Sequence, residues 1–273
     1  MSLSSKVVLI TGAGSGIGRA MVERFLAQGS SVVGFDRDED SLALLERSSS
    51  DAGRERLSNV VGDVSSEEDL AGAIAHAKER YGSLDVMCNN AGVAGPSRGI
   101  LETSVEDWDN AFAVLVRGVF LGTKQAAVAM REGGSGGSVV NTASVAGMVG
   151  GAGSSCYAAA KAAVIQFTRY AAVDLASERI RVNAICPGGI LTPLAVPRDL
   201  SDAQMGEIMD GMQPWPRHGS PDDVAEVAVF LASDVAEFIT GADVVVDGGL
   251  LASGVDVAGR VRAGIQRATG GSA

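Results

Sequence analysis

The sequence predicts an α/β fold: a Rossmann-like, doubly wound, seven-stranded parallel sheet with helices on both faces, in a single domain. Three observations carry this expectation. Short apolar runs alternate with stretches of helical periodicity; the runs are apolar at consecutive positions, as strands buried on both faces must be; and a glycine-rich turn, Thr11-Gly12-Ala13-Gly14-Ser15-Gly16-Ile17-Gly18, follows the first run and opens the first helix. The runs at 7–10, 31–35, 59–61, 84–88, 138–142, 181–185 and 243–246 read as strands. Between them, 17–28, 67–81, 106–130, 157–177 and 221–232 read as helices. Ser66 before Glu67, Glu68 and Asp69, and Ser220 before Pro221, Asp222 and Asp223, are start signals: a hydroxyl cap, then acids that suit the positive end of the helix dipole. The runs 48–50 and 133–137 are turn-like, and no fixed-period repeat runs through the chain, which leaves out solenoids and propellers.

At 273 residues, with no proline-rich or charged linker, the chain reads as one domain over 1–252 and a tail over 253–273. In that tail Val257, Val261 and Ile265 recur at i, i+4 spacing among Arg260, Arg262 and Arg267, the pattern of a short amphipathic helix. Charges sum to 22 − 33 = −11, an acidic balance that repels nucleic acid and anionic membrane surfaces and suits a small-molecule ligand. Cys88, Cys156 and Cys186 are scattered and odd in number; His76 and His218 are isolated. Neither a disulfide framework nor a metal site is expected, and proton chemistry must use other groups. The four-residue apolar run near the N-terminus is too short for a signal-peptide core, and 133–160, although uncharged, is too rich in Gly, Ser, Asn and Thr to span a membrane. A cytoplasmic protein is expected.

Chemistry concentrates in two places. A glycine-rich strand-to-helix turn lets backbone approach a pyrophosphate and aims a helix N-terminus at it, which brings in Gly12, Ser15, Gly16 and Ile17. The spacing is Gly-x-x-x-Gly-x-Gly, not the generic Gly-x-Gly-x-x-Gly. Asp36, at the end of the second strand, is placed to accept hydrogen bonds from both hydroxyls of an adenosine ribose and to repel a 2′-phosphate, which favours NAD. The adjacent Arg37 is able to neutralise such a phosphate, so NADP stays as the alternative. Asp63, Val64, Asn90, Ala91 and Gly92 lie just past strands, at the ligand-binding edge of such a sheet. The second place holds Ser144, Tyr157 and, one helical turn later, Lys161. A phenol near pKa ~10 is a poor base at neutrality; an ammonium ~4 Å away, at an effective dielectric of ~20, contributes about 4 kcal/mol in favour of the phenolate before desolvation opposes it.

Taken together these residues resemble the short-chain dehydrogenase/reductase family over about residues 5–252. Thr11-Gly12-x-x-x-Gly16-Ile17-Gly18 matches its cofactor turn, Asn89-Asn90-Ala91-Gly92 its sheet-stabilising motif, and Ser144, Tyr157 and Lys161 its catalytic trio. Pro187-Gly188-Gly189-Ile190-Leu191-Thr192 matches the segment at the nicotinamide end, and Asp247-Gly248-Gly249 the close of the last strand. The resemblance implies an NAD(P)-dependent oxidoreductase acting on CH–OH groups. Tyr157 is then general acid/base, Lys161 holds the nicotinamide ribose, and Ser144 orients the substrate oxygen; Pro187, Gly188, Ile190 and Thr192 join the cofactor set. It also implies a homotetramer, with a dimer as the other possibility. One position departs: where the family has asparagine, this chain has Leu115, and a cofactor-binding regulator that has lost turnover is the rival reading; an NADP-dependent 3-oxoacyl reductase is the other. Residues 190–216 break the βα rhythm and are expected to form a substrate lid, with Leu194, Met205, Met209, Met212 and Trp215 as its bulky members. With Val145, Met148 and Val149 they suggest an apolar pocket for a cyclic or steroid-like alcohol or ketone.

Overall fold

The computed structural model describes residues 3–96, 99–197, 199–254 and Gly259; most of the tail, including its apolar and arginine positions, lies outside the described residues. In chain order the elements are β1 (Val7–Thr11), α1 (Gly16–Ala27), β2 (Ser31–Asp36), α2 (Glu39–Ser48), α3 (Asp51–Arg54), β3 (Leu57–Val61) and α4 (Glu67–Tyr81). There follow β4 (Val86–Asn89), α5 (Val105–Phe112), a π-helical turn (Ala113–Arg117), α6 (Gly118–Gly133), β5 (Gly137–Thr142), α7 (Ser155–Asp174) and β6 (Ile180–Pro187). The chain then runs through α8 (Asp202–Asp210), α9 (Pro221–Ala232) and β7 (Asp243–Val246). The seven strands pair in the order β3-β2-β1-β4-β5-β6-β7, all parallel.

Alternation along β1 shows why the central strands are largely apolar. Val8 and Ile10 pack on one face with Met21, Phe25, Leu42, Val224 and Ala228, beneath α1, α2 and α9. Val7 and Leu9 pack on the other with Leu70, Ile74, Leu121 and Met130, beneath α4 and α6. Each fully buried side chain of this size contributes ~1.5–3 kcal/mol of hydrophobic stabilisation, so both helical layers are held firmly to the sheet. The run Val105–Gly133 is long and apolar enough to cross a membrane, yet its Leu121, Ala126 and Met130 are core residues of this second layer.

The expected strands are all present, with ends shifted by up to two residues, and the helices at 67–81 and 221–232 match α4 and α9. Ser66 and Ser220 do cap them, each accepting from the backbone amide three residues on. The single helix expected over 106–130 is instead α5, the π turn and α6, because one turn closes with an extra residue; this puts Val114 on the cleft described below and Leu115 into a buried cluster. The periodic reading named neither α2 nor α3. Helix α2 buries only Leu42 and Leu45, too few to set a period, and rests on Asp38, whose carboxylate accepts from the Asp40 and Ser41 amides.

A buried polar chain ties α7 to the sheet. Asn89 Nδ2 donates to Asn141 Oδ1 (2.9 Å) and Thr123 Oγ1 (3.1 Å); Asn141 Nδ2 donates to Thr168 Oγ1 (2.9 Å), which donates to the Val164 carbonyl (2.8 Å). All four side chains are buried, so each lost partner exposes an unsatisfied group in a low dielectric. Gly122 is what lets α6 approach, since a Cβ there would overlap Asn89 Oδ1 and lie 2.8 Å from Met87 Cε. Gly122→Ala is therefore expected to destabilise the protein by about 1–3 kcal/mol, read as a lower denaturant midpoint; an unchanged midpoint would show that the approach is not tight.

Candidate functional site

The carboxyl ends of β1, β4, β5 and β6 open onto a cleft of about 700 Å³. It lies where the strand order reverses around β1, the place a doubly wound sheet presents to ligands. Every residue expected to bind cofactor lines it: Gly12, Ser15, Gly16 and Ile17 from the first turn, Asp36 at the end of β2, Asp63 and Val64 after β3, Asn90, Ala91 and Gly92 after β4, Pro187 at the end of β6, and Gly188, Ile190 and Thr192 beyond it. Ser144, Tyr157 and Lys161 line it as well.

The glycine turn is built for backbone approach. Gly12 has φ +67°, and a Cβ on it would lie 2.8 Å from Ala91 Cα; a Cβ on Gly18 would overlap the Gly12 carbonyl. Ser15 stands at the N-cap of α1 without a side-chain cap bond, whereas Ser66, Ser104, Ser154, Ser201 and Ser220 all cap their helices. The first-turn amides of α1 thus face the cleft with no hydroxyl of their own to satisfy them, which fits a dinucleotide's pyrophosphate. Asp36 Oδ2 accepts from Gly14 N (2.9 Å) and Oδ1 from Asp38 N (3.1 Å), so the carboxylate is held rigidly beside the turn. The Ser65 amide, donating at 2.8 Å, holds the Asp63 carboxyl below its usual value, with Arg37 and Arg117 adding to the effect.

Across the cleft, Thr11 Oγ1 accepts from the Asn90 and Ala91 amides (2.9 and 3.0 Å), and Thr142 Oγ1 donates to Asn90 Oδ1 (3.2 Å). The Thr142 carbonyl in turn accepts from Lys161 Nζ at 2.6 Å. Lys161 is 3 % exposed, and burial lowers its ammonium pKa to about 8. Its Nζ lies 5.6 Å from the centroid of the Tyr157 ring. The expectation that this cation depresses the phenol is reversed: burial pushes Tyr157 above its usual value, and the opposing pull is the Ser144 hydrogen bond. The ammonium is committed to a backbone carbonyl, a contact that residue spacing does not reveal.

The half of the cleft expected to take substrate is apolar, with Val145, Leu194, Met205, Met209 and Met212 on its wall. Two expected members are elsewhere: Met148 is exposed, and Val149 packs against Val145, Ala152 and Leu250. The 3-10 turn after Ser144 carries both away from the cleft, since a short turn points successive side chains in different directions. Trp215 is 59 % exposed and does not line it. Lining residues not anticipated include Val93, Ala94, Ala152, Gly153 and Leu250, small or ordinary apolar side chains without a chemical signature. Leu115 is fully buried with Ala111, Cys156 and Ala160, against Tyr157.

A family model described as enoyl-(acyl carrier protein) reductase matches residues 12–251. The chain is 37 % identical over 248 residues to 3beta-hydroxysteroid dehydrogenase 2 of Eggerthella lenta, covering 90 % of this chain and 95 % of that protein. It is 39 % identical over 251 residues to 2,5-dichloro-2,5-cyclohexadiene-1,4-diol dehydrogenase of Sphingobium indicum, covering 92 % and 98 %. The crystal structure of levodione reductase superposes with a TM-score of 0.84 at 36 % identity, over 92 % of this chain and 99 % of that one. Fold, strand-end cleft and these likenesses agree: the chain belongs to the short-chain dehydrogenase/reductase family of NAD(P)-dependent oxidoreductases that act on hydroxyl groups.

Proposed function

We propose that this protein is an NAD-dependent dehydrogenase/reductase that interconverts an apolar, cyclic secondary alcohol and its ketone, with Tyr157 as general acid/base. The observation that carries this reading is the convergence of Ser144, Tyr157 and buried Lys161 at one end of a cleft whose other end is an uncapped helix N-terminus beside Asp36. The α1 amides would hold the pyrophosphate, Asp36 the adenosine ribose, Lys161 the nicotinamide ribose, and Pro187, Gly188, Ile190 and Thr192 the nicotinamide end. A dinucleotide held there would supply the hydride-transfer chemistry, and the protein's own part is positioning and proton transfer. Ser144 donates to the substrate oxygen and stabilises charge that develops on it; the Tyr157 hydroxyl gives its proton to a ketone oxygen, or its phenolate takes one from the alcohol.

Burial keeps the phenol protonated at neutral pH, which suits it to carbonyl reduction as it stands. Alcohol oxidation needs the phenolate, so its rate climbs as pH rises into the alkaline range while reduction falls. Ring-bearing substrates are favoured by the methionine and valine wall, and the steroid and cyclohexadiene diol in the names of two relatives support the same choice. The wall over 190–216, with Met205 and Met209 on α8, serves as the substrate lid, and residues 1–252 form the catalytic domain.

The oligomer is a homotetramer in the cytoplasm. Helices α6 and α7 expose Phe120, Val128 and Tyr170 around a groove with Lys124 and Arg131 on one side and Asp174 and Glu178 on the other, complementary to its own copy under a two-fold rotation. Three free, buried cysteines suit a reducing compartment. Leu115 sustains the second reading, a cofactor-binding regulator, because no polar side chain stands there to link Lys161 with solvent; against it, the Thr142 carbonyl already gives the ammonium a polar partner.

Tyr157→Phe is expected to lower turnover of cyclic alcohols by about 10²–10⁴-fold, read as NAD reduction, with NAD affinity within about twofold of the parent. Tight NAD binding with no turnover by the parent itself on any cyclic or steroid alcohol would favour the regulator. Asp36→Asn, which keeps the shape and removes the charge, is expected to weaken NAD about tenfold and to strengthen NADP, as measured by titration; a parent protein that already prefers NADP would contradict the assignment.

A further inference from the structure

Ser154 belongs to none of the motifs above, yet its hydroxyl is used to capacity. As the N-cap of α7 its Oγ accepts from Tyr157 N at 3.4 Å; it donates to the Ala94 carbonyl at 3.1 Å and lies 3.4 Å from Cys156 Sγ. A hydroxyl has one proton to give and two lone pairs to receive, and this one has a partner for each. Ala94 lines the half of the cleft expected to take substrate, and its neighbour Val93 packs into the buried cluster of Leu115, Cys156 and Ala160 that Tyr157 also touches. Gly95 completes the fit. Its φ is +72°, and a Cβ there would stand 2.6 Å from Ser154 Oγ and 3.0 Å from Cys156 Sγ, so the loop reaches the hydroxyl because that position has no side chain.

We infer that Ser154 is a positioning residue: by tethering the loop Val93–Gly95 to the first turn of α7 it sets the Tyr157 phenol against the substrate wall. The inference rests on the role proposed for Tyr157. An ordinary cap needs only the acceptor. The bond to Ala94 is different in kind, since it joins two walls of the cleft across 60 residues of sequence and is made by the donor half of the same group. Loss of the tether frees the loop to move away from α7 and lets the phenol leave its productive geometry, to which proton transfer is steeply sensitive.

Three substitutions separate the two halves of the hydroxyl. Ser154→Ala removes cap and tether; Ser154→Asp keeps an acceptor for the helix but turns a carboxylate toward the Ala94 oxygen; Ser154→Thr keeps both. Amide hydrogen exchange followed by mass spectrometry reads the tether without turnover. Peptides covering 92–96 are expected to exchange several-fold faster in the Ala and Asp variants and at the parental rate in Thr, while 155–159 lose protection in Ala alone. In the same variants kcat is expected to fall about tenfold for Ala and Asp, with the KM for NAD unchanged and Thr restoring activity. An Asp variant with parental loop exchange and parental kcat would reduce Ser154 to a helix cap and overturn the inference, as would faster loop exchange with no loss of kcat. If the parent protein turns over no alcohol, the proposed function fails, and the exchange pattern still decides whether the tether exists.

Discussion

One buried charge organises the Tyr157 end of the cleft. Lys161 carries an ammonium into a site where it is 3 % exposed, and its anchor is the Thr142 carbonyl at 2.6 Å. An isolated ammonium in such surroundings is expensive, and it responds by binding its proton less tightly, with a pKa of about 8. Thr142 is itself placed through its hydroxyl, which donates to Asn90, and Asn90 is fastened by its amide nitrogen to the Thr11 carbonyl at 3.1 Å. The cation's position therefore descends from the ends of three neighbouring strands, β1, β4 and β5, and from the buried amide chain of Asn89 and Asn141 that locks α7 above them. Tyr157, on the same helix one turn earlier, inherits that placement.

The opposite end, although Arg37 lines it, is built mainly from backbone. Helix α1 offers amide groups at its first turn, glycines clear the path to them, and Asp36 marks the boundary with a carboxylate pinned by two backbone amides. Between the two ends the wall is made of methionine and valine side chains, whose flexibility and lack of charge suit a neutral ligand. Polar groups fix orientation at the ends, and apolar area accepts the rest.

Much of this was legible in the residues. The five inner strands, buried along most of their length, and the order of motifs follow from composition and periodicity, because a strand covered on both sides is mostly apolar; β3 and β7, at the sheet edges, are only partly buried. The cleft was legible too, since Gly12, Asp36, Asn90, Tyr157 and Ile190 each fall at or beyond a strand's carboxyl end, and a parallel sheet gathers those ends in one place. What could not be read were contacts made by backbone and directions set by a single turn. Lys161 is held by a carbonyl, which every residue possesses; Met148 and Val149 leave the cleft because of a 3-10 turn; the break between α5 and α6 comes from one extra residue in a helical turn. A related cause reverses the expected direction of the Tyr157 shift. Coulomb's law at ~4 Å favours the phenolate, but the ammonium is turned toward Thr142 and desolvation of the ring hydroxyl prevails.

The buried ammonium is open to direct observation. The chain contains four lysines, Lys6, Lys78, Lys124 and Lys161, so a protein labelled with ¹³C at the lysine ε-carbon gives few resonances, and the one missing from Lys161→Met identifies the group. Titrated by NMR in the cofactor-free protein, that resonance is expected to move with a midpoint at about pH 8. A midpoint above about pH 10, the behaviour of a lysine in water, would mean that the charge is solvated and that no buried cation organises the Tyr157 end of the cleft.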